Sequence, residues 1–594
     1  MKQAVKKTYG KKGDEVVAKN WAAIDAGIEG LEQISYPESW ATTTSGAALV
    51  TPPADEYYAD VVFPINNLKG DDLPVSKFDP RGYVPTGTTK FEKRGIAVVV
   101  PEWDINKCIM CNQCSYVCPH ACIRPFLAKE ADLADAPAAF ETKDARGKDI
   151  AGYKYRMQIS PLDCTGCGNC ADVCPAKEKA LTMVPLHTVV DVQEKNWDFA
   201  IDLPRPDVKF NTNTVTGSQF LQPLFEFSGS CAGCGETPYV KLISQLFGDR
   251  MMIANATGCS SIYGGSAPTC PYTTNEKGHG PAWANSLFED NAEFGYGMNL
   301  AVVQRRHALK ENVKKVANCG GTTPELKAAC EAWLAAADDA EGSKQTGAVL
   351  KAVMEKFVAE VETKECFCTL KNVLADADLL TKKSVWIFGG DGWAYDIGYG
   401  GLDHVLAMDE DVNVLVLDTE VYSNTGGQSS KATPTGSTAK FAAAGKRIKK
   451  KDLGAIAMTY GYVYVAQVCM GADQSQLLKA LKEAEAYHGP SLVIAYAPCI
   501  NHGINMSKAQ NEQKRAVAAG YWQLYRFNPD APEGTNRFTL DSKEPTADYI
   551  DFITSETRYK ALSKLFPDVA DGLFEQSKKD AQQRLDFYKG LAGK

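Results

Sequence analysis

Two cysteine runs with the same spacing place the tightest constraint on what this chain can fold into. Each run reads C-x2-C-x2-C-x3-C-P, and together they supply Cys108, Cys111, Cys114, Cys118, Cys164, Cys167, Cys170 and Cys174. Two-residue spacers let three thiolates of one tight loop bind three irons of one cubane, while the fourth leaves on the next helical turn and reaches another cluster. The two runs therefore predict two [4Fe–4S] clusters in one small module.

The spacing also predicts which cysteines share a cluster. We assign Cys108, Cys111, Cys114 and Cys174 to one cluster and Cys164, Cys167, Cys170 and Cys118 to the other. A pair of structural zinc sites is the alternative, but such sites usually use separated cysteine pairs and need neither the third spacing nor the proline. The block resembles a bacterial two-cluster ferredoxin, and Cys122 just beyond the first run is interpreted as a bystander.

Composition limits the classes of protein to which the chain can belong. Its 594 residues exceed what one hydrophobic core usually supports, so we expect several domains. The net charge of −9 argues against a nucleic-acid-binding protein, which would show a basic face. Nineteen cysteines without an apolar signal-like stretch behind Met1 predict ligands or free thiols in a reducing, cytoplasmic location. The uncharged stretch 453–472 contains glycines and polar residues, so we expect a buried strand followed by a helix there and no membrane span.

Changes in sequence texture divide the chain into five segments. They are the helical end of a preceding domain (1–40), a turn-rich linker domain (41–95), the two-cluster α+β domain (96–200), a large α/β domain (201–525) and a peripheral C-terminal arm (526–594). In the large domain, apolar strands alternate with glycine-rich turns and helices, which predicts a mostly parallel sheet. An Ala-, Lys- and Glu-rich stretch at about 300–380 predicts a helical insertion within it.

Four further cysteines are scattered through the large domain. Cys231 and Cys234 form a C-x2-C pair, Cys259 follows a Thr-Gly, and Cys499 lies far downstream. C-x2-C alone is a weak signal, because it can be redox-active, metal-binding or incidental. The neighbouring glycines indicate a close backbone approach to a bulky group, so a cluster here would be built into the large domain.

Two loops at strand ends indicate a diphosphate bound through magnesium. Gly390-Asp391-Gly392-Trp393 directly follows an apolar strand, and the loop 418–427 ends another. A carboxylate between glycines can hold Mg²⁺ while the backbone cradles the diphosphate, and the second loop can supply further oxygens. Both loops lie where open α/β sheets bind ligands. A plain turn is the alternative for Gly-Asp-Gly alone, and the second loop argues against it.

Residues 225–510 resemble the thiamine-diphosphate domain of pyruvate:ferredoxin (flavodoxin) oxidoreductases. The strings that carry the resemblance are Cys231-Ala-Gly-Cys234-Gly-Glu236, Gly390-Asp391-Gly392-Trp393-Ala394, Thr419-Glu-Val421-Tyr-Ser-Asn424-Thr-Gly-Gly-Gln428 and Tyr496-Ala-Pro-Cys499-Ile-Asn. With the two-cluster module and the Tyr9-Gly-Lys-Lys-Gly-Asp opening, the resemblance covers essentially the whole chain. It implies the C-terminal half of such an enzyme.

The resemblance also implies roles for individual residues. Cys231, Cys234, Cys259 and Cys499 would bind a third [4Fe–4S] cluster, and Asp391, the Thr419 hydroxyl and the Val421 carbonyl would hold Mg²⁺. Asn424 would lie near the reactive carbon of thiamine diphosphate, as the catalytic residue of this chain. The residues expected to contact the cofactor are Glu236, Cys259, Asp391, Gly392, Trp393, Ala394, Thr419, Glu420, Val421, Tyr422, Ser423 and Asn424.

The implied reaction converts pyruvate and CoA into acetyl-CoA and CO₂ and passes electrons through three clusters to ferredoxin or flavodoxin. Thiamine chemistry also needs a carboxylate from a pyrimidine-binding domain, and the sequence shows one Gly-Asp-Gly sheet and no such domain. We therefore expect an N-terminal half, upstream or as a separate subunit, and a homodimer of the complete enzyme.

Two other functions are weighed against this one. The same module could serve another 2-oxoacid, because the residues that select the substrate side chain are expected in the missing half. A non-catalytic iron–sulfur electron carrier is the alternative from another class. The paired loops at Asp391 and Thr419 argue against a carrier, which has no use for a magnesium-diphosphate pocket.

Overall fold

The computed structural model describes residues 1–41, 55–266, 268–360 and 367–593. The N-terminal unit, Met1–Asp55, holds two helices, Lys2–Tyr9 and Asp14–Glu29. Both lie in the segment 1–40, which was predicted to be helical. The indole Nε1 of Trp21 donates to the Lys2 carbonyl at 2.9 Å, which ties the two helices together. Residues 42–54, where the expected linker domain begins, lie outside the described part of the chain.

The second unit, Glu56–Lys594, contains the two-cluster module and the large domain. The module has strands β1 (Val99–Trp103), β2 (Ile123–Ala128), β3 (Lys143–Asp144), β4 (Lys154–Ile159) and β5 (Leu181–Pro185), and helices Gln113–Tyr116, Asn169–Asp172 and Val190–Ile201. β1 pairs antiparallel with β5, and β4 pairs antiparallel with β2 and β3. Each of the first two helices starts inside a cysteine run, so each run passes from a loop into a helical turn, as its spacing predicted.

An eight-stranded sheet forms the centre of the large domain, in the order β13-β12-β10-β11-β9-β8-β6-β7. Its strands are β6 (Met251–Ala256), β7 (Ala282–Ser286), β8 (Ser384–Gly390), β9 (Asn413–Asp418), β10 (Tyr464–Val468), β11 (Ser491–Tyr496), β12 (Tyr525–Phe527) and β13 (Phe538–Leu540). β6 to β11 pair in parallel, which confirms the predicted mostly parallel sheet. Every residue of β9, β10 and β11 is buried, as expected for apolar strands covered on both faces.

Helices cover both faces of this sheet. They are Thr237–Phe247, Asn291–Ala317, Tyr399–Leu406, Leu453–Met458, Gln474–Ala486 and Ala509–Ala518. The long helix Asn291–Ala317 continues into the insertion, which adds Pro324–Ala336, Ala340–Glu360 and Phe367–Ala375. The insertion has a core of its own around Trp333, whose indole donates to the Leu380 carbonyl at 2.8 Å. Among the described residues, no helix is both long and apolar enough to cross a membrane.

Two sequence interpretations are wrong. The segment 526–594 is not peripheral: β12 and β13 extend the sheet in antiparallel orientation, and helices Tyr549–Ile553, Thr557–Leu565 and Pro567–Leu591 pack against its core. The last helix is charged on one face and buries Phe574 and Tyr588 on the other, so its overall charge misled the prediction. In 453–472 the helix precedes the strand β10, which reverses the expected order.

Candidate active site

A cleft lies at the carboxyl edge of the large sheet, where β6, β7, β8 and β9 end. Its walls are Glu236, Thr257, Gly258, Cys259, Ser260, Phe288, Gly390, Asp391, Gly392, Trp393, Thr419, Val421, Tyr422, Ser423, Asn424 and Thr425. Because parallel strands end at one edge, the loops after β8 and β9 meet there, as their sequence positions predicted. The loop after β6 adds Thr257 and Ser260, and Phe288 follows β7; the sequence prediction did not include these three residues.

The three oxygen groups expected to hold magnesium meet in this cleft. The Thr419 hydroxyl lies 3.0 Å from Asp391 Oδ1 and 3.0 Å from the Val421 carbonyl oxygen. The second carboxylate oxygen of Asp391 accepts a hydrogen bond of 2.5 Å from the Ser430 hydroxyl. Sequence reasoning missed Ser430, since no motif marks it and only the path of the chain brings it to Asp391.

The electrostatics of Asp391 fit a bound cation. Burial, reinforced by the neighbouring Asp418, raises the pKa of Asp391 to about 8. A nearby positive charge favours the ionised carboxylate and would reverse this rise. A carboxylate, a hydroxyl and a backbone carbonyl are the hard oxygen donors that Mg²⁺ takes. The donor set therefore fits the magnesium ion that the sequence predicted.

Glu236 places a second buried carboxyl group on the wall of the cleft. Its side chain is 5% exposed, and its Oε2 has no hydrogen-bond partner among the described residues. Burial raises its pKa to about 7, although the neighbouring Tyr263 hydroxyl acts against that rise. A buried polar atom without a partner is costly, and a ligand in the cleft is the group that could satisfy it.

Glycine allows the loop before Glu236 to approach the loop after β11. A Cβ on Gly235 would lie 2.4 Å from the Pro498 carbonyl oxygen, so any larger residue would push the two loops apart. This contact places Cys234 beside Cys499, although they are far apart in sequence. The glycine that the sequence analysis associated with a close approach of backbone therefore serves an approach of one loop to another.

The four scattered cysteines gather beside the cleft. Burial raises the pKa of Cys259, and Glu236, Cys234, Cys499 and Cys231 raise it further. Cys259 also lines the cleft itself, so the cysteine group and the cleft share a wall. The structure thus brings together four cysteines from three separate segments, the residues that the resemblance implied.

The two cysteine runs exchange their fourth members. Cys108, Cys111, Cys114 and Cys174 line one cavity of about 330 Å³.

The other set gathers around Cys170. Burial raises the pKa of Cys170, with further rises from Cys167, Cys118 and Cys164 and a smaller one from Cys114 of the first set. Cys118 therefore lies with the second run and Cys174 with the first. This arrangement matches the two sets assigned from spacing.

Within the described residues, no group of three or more His, Cys, Asp or Glu side chains converges as the ligands of a single metal ion do. The thiolates of a cubane each bind a different iron, so they surround the cluster and need not converge on one point. A shared cavity and mutual effects on thiol pKa values are therefore the features that group these cysteines.

Comparison with known proteins gives these features a common context. Residues 374–495 match the C-terminal thiamine pyrophosphate-binding domain of thiamine pyrophosphate enzymes, 107–177 a 4Fe-4S dicluster domain, and 305–359 the insertion domain of pyruvate-ferredoxin oxidoreductase. Residues 45–97 match EKR, a domain of unknown function. The matched domains support thiamine diphosphate and iron–sulfur clusters as cofactors.

Three of the relatives that match over the full length of this chain show the range of similarity. Pyruvate:ferredoxin oxidoreductase of Moorella thermoacetica is 62% identical over 100% of this chain and 50% of its own length. Pyruvate-flavodoxin oxidoreductase of Enterobacter agglomerans is 53% identical over 100% and 50%. The NADP(+) pyruvate dehydrogenase of Cryptosporidium parvum is 45% identical over 100% and 34%.

The chain corresponds to the C-terminal half of pyruvate:ferredoxin (flavodoxin) oxidoreductases. It spans about half the length of the curated relatives of this family that it matches. The cleft, the cysteine group beside it and the two-cluster module all lie in this half.

Two residues of the oxidoreductase motif stand outside the cleft. Ala394 and Glu420 are buried but do not line it, contrary to the expected cofactor contact. Glu420 has a φ of 62°, which turns its side chain to the back of the loop. There it pairs with Lys450 at 3.0 Å and Arg558 at 2.8 Å. Although burial opposes the effect, these two cations lower the pKa of Glu420 to about 2.

The other cysteines of the chain have no place in the three sets. Cys122, Cys270, Cys330 and Cys469 are buried free thiols, and Cys368 is an exposed one. Cys319 is disulfide-bonded, contrary to the expectation of ligands or free thiols only. Cys366 lies outside the described residues.

Proposed function

We propose that this chain is the electron-exporting half of a pyruvate:ferredoxin (flavodoxin) oxidoreductase. The complete enzyme converts pyruvate and CoA into acetyl-CoA and CO₂ and passes two electrons to ferredoxin or flavodoxin. One observation carries the proposal: the Thr419 hydroxyl lies 3.0 Å from both Asp391 Oδ1 and the Val421 carbonyl oxygen, in the cleft. Cys259, a member of the four-cysteine group, lines the same cleft. An electron carrier alone would need only the cysteines.

The residues of the cleft bind and orient the cofactor. When bound, thiamine diphosphate would supply the carbanion and electron-sink chemistry that decarboxylation of a 2-oxoacid needs. Asp391, Thr419 and Val421 would hold Mg²⁺ on its diphosphate, and Glu236 would satisfy its unpartnered oxygen on the cofactor. Asn424, on the same wall, is the residue proposed to act at the reacting carbon.

The order of the three proposed [4Fe–4S] clusters follows from neighbouring loops. Burial raises the pKa of Cys167 to about 11, and the backbone N–H of Gly233 acts against that rise by hydrogen bonding to the thiol. Gly233 belongs to the loop between Cys231 and Cys234. Electrons would therefore pass from the cluster beside the cleft to the cluster of Cys164, Cys167, Cys170 and Cys118. They would then pass to the cluster of Cys108, Cys111, Cys114 and Cys174.

Several partners complete the proposed enzyme. The carboxylate that activates the aminopyrimidine ring would come from an N-terminal half, present in the same polypeptide or as a second subunit. CoA is the co-substrate, the complete enzyme is a homodimer, and its clusters fit a reducing cytoplasm. Selection of pyruvate over other 2-oxoacids is assigned to the N-terminal half.

The test uses anaerobically prepared chain, with and without the N-terminal half. We expect about twelve irons per chain, four for each cluster. Quenching of Trp393 fluorescence by thiamine diphosphate should require Mg²⁺, since the indole lies in the cleft. Acetyl-CoA should form only when both halves are present. About eight irons and no Mg²⁺-dependent quenching would contradict the proposal, and acetyl-CoA formation by this chain alone would contradict its incompleteness.

A further inference from the structure

A buried lysine that the reaction does not use lies between the cofactor domain and the two-cluster module. Lys241 is on the helix Thr237–Phe247, which begins directly after the loop that carries Cys231 and Cys234. Its side chain is only 1% exposed. Lys241 therefore lies on the helix that leads from the loop of one proposed cluster to the module assigned the other two.

The contacts of Lys241 are all with neutral oxygens. Its Nζ donates to the carbonyl oxygen of Ser115, to that of Tyr116 at 3.1 Å and to Gln219 Oε1 at 3.2 Å. No carboxylate pairs with it in the described part of the chain. Burial lowers the pKa of Lys241 to about 8. A buried ammonium without an opposite charge is strongly disfavoured, so the charged form requires a countercharge nearby.

The position of Lys241 indicates what the countercharge is. Ser115 and Tyr116 lie between Cys114 and Cys118, which belong to different cluster sets. The Ser115 carbonyl oxygen that accepts from Lys241 also accepts from the backbone N–H of Cys118, at 3.2 Å. The ammonium is therefore one shared carbonyl away from Cys118, which is assigned with Cys164, Cys167 and Cys170 to the middle cluster.

We infer that Lys241 is the fixed countercharge of the middle cluster and raises its reduction potential. The inference rests on the cluster assignment of the proposed function. A cubane with four thiolates is anionic and gains one more negative charge on reduction, so a nearby cation in a low-dielectric interior stabilises the reduced form more. In the step concerned, one electron leaves the cluster beside the cleft, which is oxidised, and enters the middle cluster, which is reduced. No bond forms or breaks. Lys241 makes this transfer more favourable.

Two other cations near the clusters differ in the feature that matters. Arg124 is buried too, but it is paired with Glu226, so its charge is already balanced. Lys179 donates to the carbonyls of Asp172 and Cys174 at 2.7 Å each, yet it is exposed and screened by water. Lys179 is therefore a matched control, with the same kind of contact and little expected influence.

The experiment is a redox titration followed by electron paramagnetic resonance on the enzyme assembled from both halves. Lys241→Met should make reduction of one cluster about tenfold less favourable. Its midpoint potential should therefore fall by about 59 mV, the shift for a one-electron couple. Lys241→Arg keeps the charge, and Lys179→Met removes an exposed one. In both variants the reduction equilibrium of every cluster should stay within threefold of that in the unchanged enzyme. If Lys241→Met loses the cluster, Lys241→Gln replaces it and carries the same expectation.

Two results would overturn the inference. One is intact cluster signals with all midpoints within threefold after loss of the charge. The other is an equal shift in Lys241→Met and Lys241→Arg, which would show a packing effect. Absence of the module's clusters from the unchanged enzyme would instead refute the proposed function, and the inference with it.

Discussion

The two cysteine-rich regions of this chain are assembled in opposite ways. The two-cluster module takes its cysteines from two compact runs, each within a loop and one helical turn. The cleft and its cysteine group draw on loops after β6, β8, β9 and β11 and on the loop before helix Thr237–Phe247. The first region depends on local sequence, and the second exists only when the large sheet is folded. Changes in one region should therefore leave the other intact.

Loss of one cysteine of the module should have the largest effect and stay local. Cys170→Ser removes a buried ligand, so we expect about one-third of the iron and one cluster signal to be lost. Mg²⁺-dependent binding of thiamine diphosphate should be unchanged. Cys330→Ser is the control, because Cys330 is also a buried free thiol but lies in the core of the helical insertion. Full iron content in Cys170→Ser, or a loss of cofactor binding, would contradict the separation of the two regions.

Removal of the carboxylate of the cleft tests the other side of the comparison. Asp391→Asn replaces a charged metal ligand by a neutral one, and we expect affinity for thiamine diphosphate with Mg²⁺ to fall about 100-fold, or about 2.7 kcal/mol. Calorimetric titration measures it, and the iron content should not change. Asp396→Asn alters a carboxylate that pairs with Lys431 instead of lining the cleft, and it should bind normally. Equal binding by both variants would refute the assignment of Asp391.

The same contrast explains what the sequence could predict. The cysteine sets were readable because ligand spacing in a short loop determines which atoms can converge. Asp391 and Thr419 were readable because each follows a strand, and parallel strands end together. Ser430 carries no such mark, and only the folded path of the chain brings it to Asp391.

The errors have equally physical causes. Glu420 stands between two cleft residues, but a positive φ reverses the direction of its side chain, and sequence does not reveal that angle. β12 and β13 have only three residues each, too few for a two-residue periodicity to be recognised. In the helix Pro567–Leu591 the buried apolar residues are separated by many charged ones, so the apolar face is not evident from the sequence. Each error lies where long-range packing decides a local conformation.

The buried ion network behind the cleft links the C-terminal segment to the magnesium loop. Arg558 is 5% exposed and pairs with both Glu420 and Glu556. Arg558→Met leaves Glu556 without its arginine and Glu420 with Lys450 alone, so we expect a loss of stability of about 3–5 kcal/mol. We also expect cofactor affinity about 30-fold lower, or about 2 kcal/mol, because the loop loses its anchor. Chemical denaturation and calorimetry measure the two effects.

Arg558→Lys is the matched control for this network. It keeps the charge but not the forked geometry, so its losses in stability and in affinity should both be smaller. Unchanged cofactor affinity in a destabilised Arg558→Met would show that the network serves the fold alone. The cofactor cleft would then not depend on the C-terminal segment that carries Arg558.

The smallest effect is expected from the Ser430 hydroxyl, which orients Asp391 from outside the assigned ligand set. Ser430→Ala removes one hydrogen bond of modest net value, so we expect cofactor affinity about fivefold lower, or about 1 kcal/mol, with no change in iron. Ser429→Ala alters the preceding position and should match the unchanged chain. A loss in Ser430→Ala as large as in Asp391→Asn would make Ser430 a ligand in its own right. No loss at all would confine the magnesium site to the residues that its sequence motifs already mark.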